Sequence, residues 1–83
     1  SRGFLGVSIQ DLSTDLKNAL GLSAPDGIIL ADVDPKGPGA KGGLRSGDVV
    51  TRVNGVDVRS TGQFRNLVAS TGAKKKVNLE IFR

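Results

Sequence analysis

Side chains able to do acid–base or nucleophilic chemistry are few in this sequence of 83 residues. It contains no Cys and no His, which excludes a Ser–His or Cys–His pair, a thiolate site and the usual zinc ligands. The seven aspartates and the single glutamate are scattered over turn and helix-cap positions, their ordinary structural places. Asp48 and Asp57 lie beside predicted turns, where we expect them to cap backbone groups. We therefore expect no catalytic residue, no metal and no other cofactor.

The charge balance sets weak limits on the partner. Twelve Lys and Arg residues against eight acidic residues give a net charge of +4, which fits a partner with an anionic group and equally fits ordinary solubility. With three Phe and no Trp or Tyr, the chain has no stacking platform for single-stranded nucleic acid. The three lysines at 74–76 are typical of an edge-protecting strand entrance. No nucleic-acid partner is expected.

Length predicts one domain over residues 1–83, near the size at which a single core suffices without disulfides. The longest apolar run, residues 28–31, is far too short to span a membrane, and no signal-like segment is present. The chain starts and stops abruptly in what the pattern predicts to be structured elements. We therefore expect a soluble domain excised from a larger protein, without direct membrane insertion.

The N-terminal half is predicted to hold a strand, a helix and a second strand. Val7 to Gln10 alternates apolar and polar residues, the period of a half-buried strand. A helix is predicted from Ser13 to Leu20 and closed by Gly21. We expect its apolar face, with Leu12, Leu16, Ala19 and Leu20, to pack on the domain. The β-branched run 27–33 predicts the second strand.

The C-terminal half alternates strands and helices. Pro38 is suited to begin a short helix over 39–42, and the next strand is predicted over 48–53. Asn54-Gly55 favours a type I′ hairpin, from which 56–58 returns. A helix follows from Ser60 to about Thr71, and a last strand from Val77 to Phe82. These elements predict an α+β, mainly β domain, a partly open barrel or sandwich with two helices and one turn of a third.

Two motifs resemble PDZ domains. Phe4-Leu5-Gly6-Val7 resembles their carboxylate-binding loop, and residues 43–50 followed by Val53-Asn54-Gly55 resemble their internal signature. The order and spacing of the motifs, together with the late amphipathic helix, extend the resemblance over essentially the whole chain. It implies a PDZ-like fold of five to six strands.

The chain is most similar to the first PDZ domain of HtrA/Deg-type serine proteases. Arg2-Gly3 ahead of the loop, the inserted helix and the closing strand all match that branch. In animal signalling PDZ domains a strand usually precedes the loop. The strand Val77 to Phe82 is expected to take its place here, as in the circularly permuted bacterial form.

The resemblance implies a site for a peptide C-terminus. The backbone amides of Leu5, Gly6 and Val7 would bind the terminal carboxylate. The peptide would add as an antiparallel strand along Val7, Ser8, Ile9 and Gln10. Leu5, Val7 and Ile9 would line a pocket for the last side chain, so peptides with an apolar last residue are the expected partners.

From the helix, Thr61, Arg65 and Val68 are spaced so that they can share the groove-facing edge. Phe64 and Leu67 are expected to be mainly core, with Phe64 reaching the pocket floor. Arg2 and Arg65 either assist the carboxylate or are ordinary solvated charges. Both interpretations stay open at this point.

By resemblance, the domain would capture C-terminal or unfolded apolar segments for an HtrA-like serine endopeptidase of the periplasm or cell envelope, without being catalytic itself. Two alternatives stay open. The groove could instead contact the parent protease domain or another subunit in a regulatory role. The domain could also belong to another processing protease, of the site-2 or tail-specific type.

Overall fold

The fold is a five-stranded antiparallel sheet with three helices, described by a computed structural model over residues 5–72 and 76–83. The elements follow in this order: β1 (Val7–Asp11), α1 (Thr14–Leu20), β2 (Ile28–Val33), α2 (Pro38–Lys41), β3 (Val49–Val53), β4 (Val56–Asp57), α3 (Thr61–Thr71) and β5 (Leu79–Phe82). The sheet order is β1-β2-β3-β4, and β5 pairs with β3. The predicted mainly β fold is confirmed, and its sheet is not closed.

β3 is the central strand because it has neighbours on both edges. Val50 lies opposite Ile28 of β2 on one edge and opposite Ile81 of β5 on the other. It is fully buried, as are Val49 and Val53. The β-branched sequence of β3 suits this position, since such side chains pack well on a pleated surface covered by other elements.

Two apolar clusters lie on opposite faces of β2. Ile28 and Leu30 belong to the main core, while Ile29 between them packs with Leu12 and Val49 in a smaller cluster. Successive side chains of a strand point to opposite faces, so the uninterrupted apolar run of β2 reflects burial on both sides. The main core consists of Val7, Ile28, Leu30, Val50, Val53, Val58, Phe64 and Val68.

The predicted bounds of the helices are confirmed almost to the residue. α1 begins after Ser13, whose hydroxyl accepts a hydrogen bond from the N–H of Leu16, and it ends at Gly21 with φ of 66°. α3 begins after Ser60 and ends before Gly72. The predicted hairpin is also present: Asn54 and Gly55 have φ of 50° and 81°, and a type I′ turn requires positive φ at both positions.

The predicted packing of α1 is wrong for its second half. Ala19 is exposed and Leu20 is 53% exposed, and no residue of the helix is buried. Only Leu12, which precedes the helix, and Leu16 reach the smaller cluster, where Leu22 and Ala24 supply the remaining contacts as the chain returns. The helix of seven residues therefore rests on the domain by its first turn.

The last strand is shorter than the predicted Val77 to Phe82. It begins at Leu79 because Asn78 pairs with Asn54 of the hairpin instead: the Asn54 N–H donates to the Asn78 carbonyl at 2.7 Å, and the Asn78 N–H donates to Asn54 Oδ1 at 2.8 Å. The predicted alternation holds, with Val77, Leu79 and Ile81 half-buried. The lysines at 74 and 75 lie outside the described residues.

Candidate functional site

β1 forms an edge of the sheet. In the part of the chain that the structure describes, its ladder partner is β2, with Val7 opposite Val33 and Asp11 opposite Ile28. The register shifts between Ser8 and Ile9, where β2 contributes the extra residue Ala31. An edge strand presents backbone N–H and C=O groups that can pair with another chain. β1 therefore has the backbone geometry for strand addition.

In the turn at Leu5 and Gly6, which leads into β1, both backbone carbonyl groups point toward the loop at 34–39. The carbonyl of Leu5 accepts a hydrogen bond from the N–H of Gly39 at 2.9 Å, and that of Gly6 accepts one from the N–H of Asp34 at 2.8 Å. Within residues 5–72 and 76–83 no peptide bond is cis, and in a trans peptide the C=O and the N–H of one plane point in opposite directions. The N–H groups of Gly6 and Val7 therefore point away from the loop that binds the two carbonyls.

Glycine is needed at position 6 for two reasons. Its φ is +70°, and a Cβ placed there would lie 3.2 Å from the Cα of Gly37. Gly39 brings the same loop close to the turn, since its own Cβ would lie 2.9 Å from the Leu5 carbonyl oxygen. The contact is thus backbone against backbone, which fixes the direction of the two amide groups without any side chain.

α3 lies over β1 and runs antiparallel to it. At the start of β1, Val7 packs in the main core with Phe64 and Val68. At its end, the carboxylate of Asp11 accepts a hydrogen bond from the N–H of Thr61 at 2.9 Å. The C-terminal part of the helix thus lies near the turn with the outward amides, and its first residue lies near the far end of the strand.

The N-terminus of α3 is held by side chains. The Ser60 hydroxyl accepts from the N–H of Gln63 at 3.1 Å, and Gln63 Oε1 accepts from the N–H of Arg59 at 2.8 Å. Gln63 Nε2 also donates to the carbonyl of Asp57 at 2.8 Å. The first bond satisfies an N–H group that a helix start leaves without an intrahelical partner, and the two bonds of the Gln63 side chain hold the residues that precede the helix. The helix wall of the groove therefore starts from a fixed point.

The structure places the predicted site residues in three groups. Those around the turn and along β1 and the helix start are half-buried: Leu5, Gly6, Ser8, Ile9 and Thr61. Val7, Phe64 and Val68 are buried, and Arg65 is exposed. Phe64 belongs to the core as predicted, and Leu67 is half-buried and packs against the core. Arg2 and Phe4 lie outside the described residues.

Two contacts of this region carry no signal in the sequence. Asp11 and Thr61 are fifty positions apart, and their pairing follows only from the placement of α3 on β1. The second involves a pocket of about 440 Å³, which Leu5 lines together with α2, Leu44 and the half-buried Val77, Leu79 and Ile81. Leu5 thus lines the same pocket as two residues of β5, which pairs with β3.

Four acidic residues outside this region form ion pairs: Asp26, Asp48, Asp57 and Glu80. Asp48 is buried, and hydrogen bonds from Arg83 at 2.8 and 2.9 Å hold the pKa of its carboxyl below the ordinary value, helped by the N–H of Arg45 at 2.9 Å. Exposed Asp26 has its pKa lowered by a hydrogen bond and charge from Lys17, and by the charge of Arg59. Asp48 caps a backbone group as predicted, since it accepts from the Arg45 N–H, whereas the Asp57 carboxylate accepts from the Arg52 side chain at 2.9 Å instead.

Neither a metal cluster nor a membrane helix is found in residues 5–72 and 76–83. No group of three or more acidic side chains there is placed to hold a metal ion. None of the helices in these ranges is long and apolar enough to cross a membrane.

The sheet is open, its edge strand β1 faces α3, and the turn at one end of β1 directs two backbone amides outward. Together these features define a small β-rich binding domain. A sequence profile of the PDZ domain matches residues 29–83, and the chain belongs to the PDZ domain family.

Curated relatives match the whole chain. It is 41% identical over 83 residues to a probable periplasmic serine endoprotease, DegP-like, of Halomonas elongata, and 42% identical to the protein of that name in Pseudomonas fluorescens. Both alignments cover all of this chain, but only 18% and 17% of the respective relatives. The chain therefore corresponds to less than a fifth of the length of these proteins.

Solved structures agree with the fold. The HtrA-type protease AlgW with a decapeptide superposes with a TM-score of 0.85 at 35% identity, covering 99% of this chain and 25% of that one. The HtrA3 PDZ domain bound to a phage-derived ligand, FGRWV, gives a TM-score of 0.84 over 96% of this chain and 72% of that one. At 24% identity, the second shows the shared fold alone.

Proposed function

We propose that the groove between β1 and α3 binds the C-terminal end of a peptide by strand addition. The observation that carries this proposal is the inward hydrogen bonding of the Leu5 and Gly6 carbonyls, which aims two successive amide groups toward the start of an open edge strand. Successive N–H groups of this kind form a site for an anion. The terminal carboxylate of a peptide that pairs with β1 fits it.

The residues of the site have separate roles in this proposal. The amides of Gly6 and Val7 bind the carboxylate together with that of Leu5, whose peptide bond joins it to Phe4. Val7, Ser8 and Ile9 offer backbone groups to the peptide. Arg65, exposed on α3, adds positive charge at the rim, and Arg2 is proposed to assist the carboxylate as well.

We propose that the pocket for the last side chain is apolar and is lined by Leu5, Val7 and Ile9 from the strand side. Val7, Phe64 and Val68 belong to the main core, against which Leu5 and Ile9 pack. Thr61 lies at the far end of the groove. A peptide ending in Val, Leu or Phe would bury its last side chain here, whereas a charged last residue would lose hydration without gaining a partner. We therefore infer a preference for apolar C-termini.

The relatives support a place for this domain in a larger protease. We propose that the parent chain is a serine endopeptidase of the HtrA type, that it works in the periplasm, and that this domain delivers or senses chain ends for it. The DegP-like names of the curated relatives and the peptide-bound HtrA-type structures support this. The domain has no Cys or His with which to perform the hydrolysis itself.

A titration with labelled peptides tests the binding proposal. Fluorescence anisotropy would be measured with one heptapeptide ending in Val, Leu, Phe or Asp, and with the Val peptide amidated at its C-terminus. We expect saturable binding for the apolar endings, with a dissociation constant on the order of micromolar for so small an interface. Amidation or a final Asp should weaken it at least about tenfold. Equal binding of all five peptides would refute the capture of a terminal carboxylate.

A further inference from the structure

Asp11 joins the two walls of the groove by a side-chain hydrogen bond. It is the last residue of β1, and its Oδ1 accepts from the N–H of Thr61, the first residue of α3, at 2.9 Å. The other bonds described at this helix start, from Ser60 and Gln63, stay within residues 57–63. They shape the helix start but do not attach it to β1, whereas the Asp11 side chain does attach it.

Asp11 shares a face of β1 with Val7 and Ile9, because alternate side chains of a strand point to the same side. Val7 is buried in the main core and Ile9 packs against it, both on the side of α3. α3 is therefore held over β1 at two points. One is apolar, Val7 with Phe64 and Val68, and the other is polar, Asp11 with Thr61.

The two attachment points are separated by a similar distance along the strand and along the helix. From Val7 to Asp11 is four residues, about 13 Å along a strand. From Val68 back to Thr61 is seven residues, about 10 Å along a helix. A helix held at both points lies nearly along the strand. Without the polar point it would be held over β1 only at the end near the turn, and its first residues could move away from the far half of the groove.

We propose that Asp11 is a positioning residue that sets the width of the far half of the groove, and so controls selectivity for the third residue from the peptide C-terminus. This inference rests on the proposed function above. In antiparallel addition, the last and third-from-last side chains point to the same side, toward α3. The last one meets the Val7 and Val68 end, and the third-from-last meets the Ile9 and Thr61 end.

A negative charge at this place also suits the helix. Thr61 is the first residue of α3, and its N–H belongs to the positive end of the helix dipole. A carboxylate stabilises that end, and an amide oxygen at the same position would keep the hydrogen bond while losing the charge. Asp11→Asn is therefore the conservative variant, and Asp11→Ala removes both contributions. Asp15, an exposed carboxylate in the first turn of α1, supplies the matched control, Asp15→Ala.

The test measures selectivity at two peptide positions separately. Wild type, Asp11→Ala, Asp11→Asn and Asp15→Ala would be titrated with peptides that vary only the last residue or only the third from last. We expect Asp11→Ala to reduce discrimination at the third position about threefold or more. Discrimination at the last position and the loss on amidation should stay within twofold. Asp11→Asn should recover most of the selectivity, and Asp15→Ala should equal wild type.

A second variant removes the donor instead of the acceptor. Thr61→Pro lacks the N–H, yet proline is well tolerated at the first position of a helix. When Asp11→Ala is added to Thr61→Pro, selectivity for the third residue from the peptide C-terminus should not change further. The backbone amide resonance of Thr61 should also shift in Asp11→Ala and largely return in Asp11→Asn.

The outcomes separate this inference from the proposed function. If wild type ignores amidation, the proposed function fails before Asp11 is considered. If wild type binds as proposed but Asp11→Ala weakens both positions equally, or neither, the positioning role is refuted. An Asp11→Ala protein that does not fold would leave Thr61→Pro to decide in comparison with Thr61→Ala, which loses the same side chain but keeps the N–H. A larger loss of third-position selectivity in Thr61→Pro supports the positioning role, and equal losses in the two variants refute it.

Discussion

Two of the outer strands of the sheet, β1 and β5, are held by different means. The turn before β1 is held by backbone hydrogen bonds to the loop at 34–39. The end of β5 is held by a charged side chain: Arg83 donates twice to Asp48 and once to the Gly43 carbonyl at 2.9 Å. The backbone contacts direct the Gly6 and Val7 amides away from the loop at 34–39, whereas the ion pair ties the end of β5 to the body of the domain. The edge at β1 is the one proposed above for binding, and the end of β5 is tied down by an ion pair.

The largest expected effect is on the β5 side. Asp48→Ala removes a buried carboxylate that accepts three hydrogen bonds shorter than 3 Å, two from the Arg83 guanidinium and one from the Arg45 N–H. Because hydrogen bonds to charged groups each contribute about 1.5–3 kcal/mol, partly offset here by desolvation, we expect a loss of about 2 kcal/mol in the free energy of unfolding. Urea unfolding measures it.

The same variant should bind peptide as wild type does, within twofold, because Asp48 lies away from the groove. Arg83→Ala should lower stability in the same direction, and the double variant should lose less than the sum of the two. A loss of peptide affinity in folded Asp48→Ala, measured without denaturant, would contradict the separation of roles between β1 and β5.

The next effect is on the β1 side. Gly6→Ala adds a Cβ within 3.2 Å of the Gly37 Cα at a φ of +70°, so the turn must shift and the two outward amides with it. We expect peptide affinity to fall about tenfold or more, equivalent to about 1.4 kcal/mol. The anisotropy titration with the Val-ending peptide measures this change.

Gly21→Ala is the matched control for backbone strain. Gly21 has φ of +66°, but a Cβ there meets nothing within 4 Å. Both variants should lose about 1 kcal/mol of stability from the positive φ, and only Gly6→Ala should lose peptide affinity. Equal affinities in the two variants would show that the turn at Gly6 does not hold the ligand.

A third prediction concerns acid. The pKa of Asp48 is lowered in the folded state below its ordinary value of 3.8, first by the hydrogen bonds from Arg83. A lowered pKa gives stability that is present above the unfolded-state value and is lost as pH falls through the folded-state value. We expect the unfolding free energy of wild type to decline below about pH 4, and less steeply in Asp48→Asn. Parallel declines in both proteins would contradict the role of this carboxylate.

The smallest effect is expected at α1. Leu20 is 53% exposed, so Leu20→Ser should change the unfolding free energy by less than about 0.5 kcal/mol. Peptide affinity should not change. A loss above about 1 kcal/mol would show that the second turn of α1 packs on the domain after all. Thermal unfolding is sufficient to detect it.

Much of the fold was predictable from local signals. Ser13, Gly21, Ser60 and Gly72 mark the helix ends through capping, and Asn54-Gly55 marks the hairpin, because these residues act on neighbours in sequence. The exposure of Leu20 was not predictable, since the apolar spacing of α1 says nothing about where the sheet ends. A strand end that pairs with a distant hairpin, as Asn78 does, has no local signal either.

The candidate site also has parts that the sequence predicts and parts that it does not. The loop motif and the amphipathic helix identify its two walls, and Phe64 is in the core as predicted. Val68 is only 5% exposed, so a charged residue at this position would disturb folding as well as binding. The helical spacing of Val68 in the sequence does not reveal this burial. The Asp11 bond to Thr61 and the approach of Gly37 to Gly6 depend on tertiary placement.

The most direct test of the account follows the backbone amides themselves. Two-dimensional ¹H–¹⁵N spectra of the labelled domain would be recorded with a Val-ending peptide and with its amidated form. We predict that the Gly6 and Val7 amide resonances shift the most with the free carboxylate, and much less with the amide. Unchanged Gly6 and Val7 resonances at saturation, or equal shifts with both peptides, would contradict carboxylate binding at this turn.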